Sequence, residues 1–557
     1  MFNLIDTSPL PEERDLLTIE ALTIGFKANG TVVPAVTDVN WSVKSGETLV
    51  IIGESGSGKS VTASAIMGLL DVPPAVISSG RITFEGLDLL EITQAKRRNV
   101  VNGRGIAMVF QDPLASLNPV FTVGQQIAET MHLHGVSRAK AKEDVIALLT
   151  RVGIKNARSR AKDYPHQFSG GQRQRVMIAM AIALSPALLI ADEPTSALDV
   201  TIQAQILTLL KSLQADNGMG MIFITHDINV AAQIGDKVAI MSNGRVVEAG
   251  PVREVLSAPR HEYTKMLLSC VPGSKALAEP VACDRDGSFL SVEQLNKIYS
   301  KRSFNPMRRK DEAVHALKGV SFNVNENEIV CVVGESGSGK STLVKSLLGL
   351  EAVDSGKVSF CGSPISTRHG ATLNQFRRNV QAVFQDPTAS LNPLMTVAEI
   401  VAEPWHVHTS VVAKDEWEPA IGDLLETVGL RRDHAHRFPH QFSGGQRQRI
   451  AIARALASRP RLIVCDEAVS ALDVSVQARI LDLLRKLKAE AGLAILFVTH
   501  DLALVRDFAD RVIVMSEGHI VEQGFAKQIF EAPTHPYTRT LLASQRRLVP
   551  GHTTENV

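Results

Sequence analysis

The eight residues GESGSGKS occur twice in this chain, at 53–60 and again, letter for letter, at 334–341. Both copies fit the pattern G-x-x-x-x-G-K-[ST] and follow an apolar run typical of a buried strand. In such a loop, backbone N–H groups converge on phosphate oxygens, and the start of the next helix adds positive charge. The repeat predicts two phosphate-binding loops, each including the residue that follows it: Gly53, Glu54, Ser55, Gly56, Ser57, Gly58, Lys59, Ser60 and Val61, and Gly334, Glu335, Ser336, Gly337, Ser338, Gly339, Lys340, Ser341 and Thr342.

The duplication extends far beyond these loops. FQDPLASLNP at 110, HQFSGGQRQR at 166, SALDV at 196 and THD at 225 all return 274 residues later, with one substitution in the first motif. A period this long excludes solenoid repeats and indicates two copies of one domain. Aliphatic runs alternate with helical stretches in each copy, which predicts an α/β fold with a parallel sheet. We expect a first domain at 1–272, a linker at 273–288 and a second domain at 289–557.

Charge and hydropathy limit the possible partners. The chain has 59 Lys and Arg against 58 Asp and Glu, a net charge of +1. Proteins that bind nucleic acid usually carry a clear basic excess, so we expect no nucleic-acid partner. The first residues lack the basic start and apolar core of a signal peptide, and apolar runs are shorter than the roughly 18 residues that a membrane span needs. We therefore expect no transmembrane segment in this chain.

An acidic pair follows an apolar run in each copy, in LLIADE and LIVCDE. The carboxyl ends of parallel strands are where α/β sheets bind ligands. Asp192 and Asp466 are predicted to hold Mg²⁺ together with the loop hydroxyls of Ser60 and Ser341. The neighbouring Glu193 and Glu467 are predicted to orient and deprotonate an attacking water.

The motif FSGGQRQR supplies a second anion-binding device, because a serine and two glycines open a helix and expose its first N–H groups. We expect a γ-phosphate to bind there. The predicted residues are Ser169, Gly170, Gly171 and Gln172 in the first copy and Ser443, Gly444, Gly445 and Gln446 in the second.

In their order, these motifs resemble those of the ATP-binding cassette (ABC) family, over essentially the whole chain. The resemblance implies two tandem P-loop ABC domains, each with a RecA-like parallel core, an antiparallel β subdomain and a helical signature subdomain. ATP and Mg²⁺ are the implied cofactors. It also implies roles for four residue pairs: Gln111 and Gln385 as Mg²⁺ and water sensors, His226 and His500 as γ-phosphate switches, Asp199 and Asp473 as couplers between sites, and Phe26 and Tyr299 as adenine-stacking aromatics.

Family members stack two cassettes head to tail, so each phosphate loop is expected to pair with the signature of the other copy, as an intramolecular pseudo-dimer. The motif A-P-x-H-x-Y-T-x-x-L-L, at 258 and 532, resembles the fused ATPase subunits of peptide/nickel importers. That resemblance implies two membrane permeases and an extracytoplasmic solute-binding protein as partners. The chain is then expected to lie peripherally on the cytoplasmic face of the inner (plasma) membrane.

The sequence leaves three functions open. An ATPase that energises import of oligopeptides, dipeptides or peptide-like solutes fits best, and a nickel importer ATPase is a close alternative. A soluble tandem ABC ATPase acting on ribosomes or nucleic acid is the third. Tandem translation factors of this family carry a long, highly charged linker, whereas VPGSKALAEPVACDRDGS is short and weakly charged.

Overall fold

The structure, a computed structural model, describes residues 15–28, 30–195, 198, 200–270, 289–300, 313–365, 371–469 and 472–546. These residues form two compact units, one ending at Ser269 and one running from Cys270 to Arg546. The expected linker at 273–288 lies outside the described residues, as does Asp199. The domain boundaries at 272 and 289 therefore stay predictions.

The first unit contains ten strands and eleven α-helices among its described residues. The strands are β1 (Asp15–Ala28), β2 (Thr31–Lys44), β3 (Thr48–Gly53), β4 (Ala75–Phe84), β5 (Leu87–Asp88), β6 (Ile106–Val109), β7 (Leu188–Asp192), β8 (Gly220–Thr225), β9 (Lys237–Ser242) and β10 (Arg245–Pro251). The helices are α1 (Lys59–Met67), α2 (Gln94–Lys96), α3 (Pro113–Ser116), α4 (Val123–Leu133), α5 (Arg138–Arg151), α6 (Ala157–Arg160), α7 (Gly170–Ala181), α8 (Val200–Asn217), α9 (Ile228–Ile234), α10 (Val252–Ser257) and α11 (Glu262–Ser269).

The second unit repeats this order of strands, with ten strands and ten α-helices among its described residues. The strands are β11 (Leu290–Ser300), β12 (Ala313–Val324), β13 (Ile329–Val333), β14 (Ser355–Phe360), β15 (Ser363–Pro364), β16 (Val380–Val383), β17 (Leu462–Asp466), β18 (Ala494–Val498), β19 (Arg511–Ser516) and β20 (His519–Phe525). The helices are α12 (Lys340–Leu347), α13 (Ala371–Asn379), α14 (Pro387–Ser390), α15 (Val397–Val407), α16 (Trp417–Thr427), α17 (Gly444–Ala457), α18 (Val474–Ala491), α19 (Leu502–Phe508), α20 (Ala526–Glu531) and α21 (Pro536–Arg546).

Each unit is built on two sheets. A six-stranded sheet has the order β10-β9-β3-β8-β7-β6 in the first unit and β20-β19-β13-β18-β17-β16 in the second. Its strands run parallel except at the β10 and β20 edge, which pairs antiparallel with its neighbour. Each unit also has a separate four-stranded antiparallel sheet. Its order is β2-β1-β4-β5 in the first unit and β12-β11-β14-β15 in the second. The predicted α/β fold, with a parallel core, an antiparallel sheet and helices around the signature motif, is confirmed.

The strands that lead into the two phosphate loops lie at the centre of the parallel sheets. Every residue of β3 and β13 is buried, because helices or the second sheet cover both faces of the core sheet. An aspartate fixes the start of each strand. Asp510 accepts the Ile329 N–H at 2.7 Å and returns its own N–H to the Ile329 carbonyl at 2.9 Å. Asp236 makes the same exchange with Thr48.

In the described part of the chain, no helix combines the length and the apolar character needed to cross a membrane.

The aspartate at the strand start gives a stability prediction. In Asp510→Ala the buried N–H of Ile329 loses its acceptor and Lys488, 2.6 Å from the carboxylate, loses its ion-pair partner. We expect a loss of about 1–3 kcal/mol in the free energy of unfolding. Scanning calorimetry of the full chain should show an unfolding midpoint lower by roughly 2–10 °C.

The matched control is Asp482→Ala, which removes an exposed carboxylate that pairs with Arg485 on α18. Because surface pairs contribute little, we expect a loss below about 1 kcal/mol. If both substitutions lower the free energy of unfolding equally, Asp510 stabilises the fold no more than an exposed charge does.

Candidate functional site

A buried lysine lies at the centre of each phosphate loop. Lys59 and Lys340 are both 5% exposed. The Lys59 ammonium donates to the carbonyls of Gly53 and Glu54 at 2.7 and 2.9 Å, and the Lys340 ammonium donates to the equivalent carbonyls, both at 2.8 Å. A buried ammonium needs such partners, so the loop curls around its own lysine.

The last glycine of each phosphate loop has a backbone conformation that other residues rarely adopt. Gly58 and Gly339 have φ of 99° and 103°, in the left-handed region, and they begin α1 and α12. A Cβ atom at Gly339 would come within 2.5 Å of the Ala316 carbonyl oxygen on β12. Only glycine therefore satisfies both the turn and the close contact.

The acidic pair lies where β7 and β17 end. The backbone N–H of Glu193 still bonds to the Ile224 carbonyl of β8 at 3.0 Å, and Glu467 bonds to Val498 of β18 at 2.9 Å. Both glutamates then take a positive φ, 45° and 48°, which is unusual for a residue with a side chain. Strained backbone of this kind clusters at functional sites. The sheet therefore holds each glutamate in place while the chain turns.

Each glutamate contacts a glutamine and a histidine that are far away in sequence. The amide nitrogen of Gln111 lies 3.0 Å from the Glu193 carboxylate, and the Nδ1 atom of His226 lies 3.4 Å from it. In the second unit Gln385 and His500 lie at the same distances, 3.0 and 3.4 Å, from Glu467. The predicted glutamine, glutamate and histidine therefore come together in both units.

These contacts determine the charge of the two glutamates. For Glu193, burial raises the pKa, but the hydrogen bond and charge of His226, with help from Lys59, lower it further than burial raises it. For Glu467 the hydrogen bond from His500 is the largest influence, and the net pKa is again below the ordinary value. Both carboxylates are therefore ionised at neutral pH and can accept hydrogen bonds from a water molecule.

The two aspartates of the acidic pairs have chemistry that suits Mg²⁺. Burial raises the pKa of both Asp192 and Asp466. The Ser60 hydroxyl donates to Asp192 at 3.3 Å, and the Oδ1 atom of Asp466 is buried with no hydrogen-bond partner among the described residues. A buried carboxylate oxygen beside a loop hydroxyl is a donor set that Mg²⁺ prefers. The residues present therefore fit the ion.

The signature residues begin α7 and α17, as predicted. Ser169 and Gln172, and likewise Ser443 and Gln446, form a capping box within the first turn of their helix. A Cβ atom at Gly445 would approach the Val476 side chain to 2.3 Å, so this glycine lets α18 pack against α17. The described hydrogen bonds of the two serines are local to these turns. They do not test the predicted contact with a γ-phosphate.

A cleft of about 640 Å³ joins the loop of the second unit to Glu467, the glutamate predicted to be catalytic. It is lined by Ser336, Gly337, Gly339, Lys340, Ser341, Thr342, Glu467 and Glu517, and by the β12 residues Ala313, Val314, His315, Ala316 and Lys318. The sequence did not point to the β12 residues, because they carry no motif and precede the loop by about 20 residues. Only the fold of β12 over the loop reveals them.

The predicted adenine aromatics lie on equivalent strands. Tyr299 on β11 pairs with Val314, a residue of the cleft, and its hydroxyl bonds with Glu351 and with Thr342 of the phosphate loop. Phe26 on β1 pairs with Val33 and is half-buried. Asp473, the predicted coupling residue, precedes α18 as its cap. The roles of these three residues stay predictions.

Two family models match the chain, and each matches both halves. The model described as ABC transporter matches residues 36–196 and 317–470. The model described as oligopeptide/dipeptide transporter, C-terminal region, matches residues 247–321 and 521–556. The match at 521–556 includes α21 and all but the first two residues of β20.

Curated relatives match nearly the whole chain. The glutathione import ATP-binding protein GsiA is 46% identical both in Salmonella typhi, over 96% of this chain and 90% of that protein, and in Escherichia coli (strain K12), over 95% and 89%. The peptidoglycan transport ATP-binding protein YejF of Agrobacterium fabrum is 45% identical over 95% of this chain and 96% of that protein. Two phosphate loops, each with its own acidic pair, agree with these matches: the chain belongs to the ABC transporter family as an ATPase subunit with two cassettes, and both cassettes carry the C-terminal region of oligopeptide/dipeptide transporters.

Proposed function

We propose that this chain hydrolyses ATP at two sites to energise the import of oligopeptides, dipeptides or peptide-like solutes. The observation that carries the proposal is the repeated cluster of lysine, glutamate, glutamine and histidine around each phosphate loop. No member of the cluster is lost in either unit. This favours two functional sites over one functional site and one inactive copy. The names of the relatives support peptide-like cargo: glutathione is a tripeptide, and peptidoglycan contains peptide segments.

The loop lysines have the first role. The Lys59 and Lys340 ammonium groups are held by loop carbonyls. With the loop carbonyls holding each ammonium in position, the β- and γ-phosphates of ATP would add charge-assisted bonds from it to anionic oxygens, which are stronger than bonds to neutral carbonyls. Mg²⁺, held by Asp192 and Ser60 or by Asp466 and Ser341 with Gln111 or Gln385 nearby, would neutralise phosphate charge that develops during hydrolysis.

The glutamates have the second role. Since the pKa of both Glu193 and Glu467 is lowered, each is a weak base whose main task is to orient the attacking water. It receives the proton as the bond to phosphorus forms. His226 and His500 hold the carboxylates from one side, and the glutamines hold them from another. From this position the histidines would sense the γ-phosphate, the role that the family resemblance implies.

The import complex is proposed on the same basis. Two separate permeases would carry the solute, an extracytoplasmic binding protein would deliver it, and this chain would act from the cytoplasmic face of the inner membrane. Import ATP-binding relatives support such an arrangement. The pairing of each phosphate loop with the signature of the other copy stays a prediction from the resemblance.

Replacement of both glutamates tests the catalytic assignment. In the double variant Glu193→Gln and Glu467→Gln the carboxylates lose their charge but keep their shape. We expect steady-state ATP hydrolysis to fall by about 10²–10⁴-fold, while binding of a fluorescent ATP analogue is retained. The control is Glu254→Gln with Glu531→Gln, two exposed positions on α10 and α20, which should hydrolyse ATP at the original rate. Undiminished turnover in the first double variant would refute the assignment.

Affinity purification tests the partners. The tagged chain, extracted from detergent-solubilised membranes of its own host, is expected to bring down two hydrophobic permeases. Lys59→Ala with Lys340→Ala serves as a control for nucleotide dependence. Recovery of ribosomal proteins in place of permeases would support the soluble tandem ATPase instead.

Uptake measurements test the cargo class. A host strain that lacks this chain should lose uptake of radiolabelled di- and tripeptides while it keeps normal uptake of ⁶³Ni²⁺, and the intact chain should restore the loss. The catalytically impaired double glutamine variant is the matched control and should fail to restore it. Lost nickel uptake with normal peptide uptake would favour the nickel importer.

A further inference from the structure

The second unit ends in a helix, α21, whose start is tied to the core sheet. The Glu522 carboxylate on β20 accepts the backbone N–H and the hydroxyl of Thr534, both at 2.7 Å, and the backbone N–H of His535 at 3.1 Å. The His535 Nδ1 atom then accepts the N–H of Tyr537 at 3.2 Å. These bonds fix the first turn of α21, and with it the direction of the Tyr537 side chain.

The phenol of Tyr537 reaches the phosphate loop. Its oxygen accepts the backbone N–H of Glu335 at 3.2 Å, and its ring packs half-buried against the core. The N–H of Glu335 belongs to the same peptide group as the carbonyl of Gly334, which accepts the Lys340 ammonium at 2.8 Å. Because a peptide group is planar, a bond that fixes its N–H also fixes its carbonyl. One rigid unit thus links the tyrosine to the loop lysine.

The geometry points to Tyr537 as a positioning residue for the second phosphate loop, through which α21 sets the ATP affinity of that loop. The inference rests on the proposed function, since it assumes that loop 334–341 binds the phosphates of ATP. Without the phenol oxygen, the peptide between Gly334 and Glu335 can rotate, and the Lys340 ammonium loses a fixed carbonyl. The segment that carries the peptide-transporter C-terminal match, 521–556, would then act directly on nucleotide binding.

The first unit repeats the anchor and supplies a matched control. Glu248 on β10 accepts the backbone N–H groups of Arg260 and His261 at 2.9 and 3.1 Å, and His261 accepts the N–H of Tyr263 at 3.1 Å. Tyr263→Phe therefore makes the same chemical change as Tyr537→Phe, but in the first unit.

The test measures ATP affinity at the second loop alone. All variants carry Lys59→Ala to disable the first loop, and a fluorescent ATP analogue is titrated in EDTA so that no turnover occurs. Tyr537→Phe should weaken binding about three- to tenfold, the effect of one lost hydrogen bond. Hydrogen exchange in peptides that cover 334–340 should also become faster. Tyr263→Phe should leave both measurements unchanged, and Lys340→Ala should abolish binding.

The outcomes separate the two claims. Unchanged affinity and exchange in Tyr537→Phe, with binding lost in Lys340→Ala, overturn the role of the tyrosine and leave the ATP site in place. Retained binding in Lys340→Ala overturns the ATP site itself. A purely structural tyrosine would lower the thermal midpoint without changing affinity, which also counts against the proposal. If Tyr537→Phe does not fold, Glu522→Gln tests the same link: weaker binding supports it, and unchanged binding refutes it.

Discussion

Both ATP sites depend on a buried ammonium group that the loop itself must satisfy. Lys59 and Lys340 are almost fully buried, and two carbonyls of the same loop hold each one. An uncompensated charge at this depth would cost several kcal/mol. The contacts that shape the loop are therefore made within the chain itself, so the loop is preorganised. Preorganisation of this kind lowers the cost of binding.

The parallel sheet delivers the remaining groups to this lysine. β3 and β13 lead into the loops, and the adjacent strands β8 and β18 separate them from the strands that end in the acidic pairs. Since parallel strands end at the same edge of the sheet, the loop lysine and the acidic pair lie close together although they are more than 100 positions apart in sequence. The glutamine and the histidine that contact each glutamate enter from the ends of neighbouring elements.

Much of this arrangement was predictable from the sequence, and the reason is the repeat. A pattern found once is a weak signal, but one found twice in the same order excludes chance and reveals the domain. The α/β fold, the ATPase activity and the family are confirmed. The residue roles stay predictions, although the structure places Gln111, Glu193 and His226 in one cluster. The closeness of His315, Lys318 and Tyr537 to the loop could not be foreseen, because it comes from tertiary packing. Tyr537 belongs to the repeated motif at 532, but that motif does not indicate what the tyrosine contacts.

The hydroxyl of Tyr299 makes the second unit chemically different from the first. It bonds with Glu351, whose counterpart in the first unit, by position after the loop helix, is Leu70, and Phe26 has no hydroxyl. One predicted base pocket is therefore bordered by a carboxylate, whereas the matching positions in the first unit, Phe26 and Leu70, are hydrocarbon side chains. The two copies therefore differ in chemistry at the positions predicted to contact the base. A duplicated domain need not stay symmetric: the two copies differ at these positions, although the contacts around Glu193 and Glu467 are the same in both units.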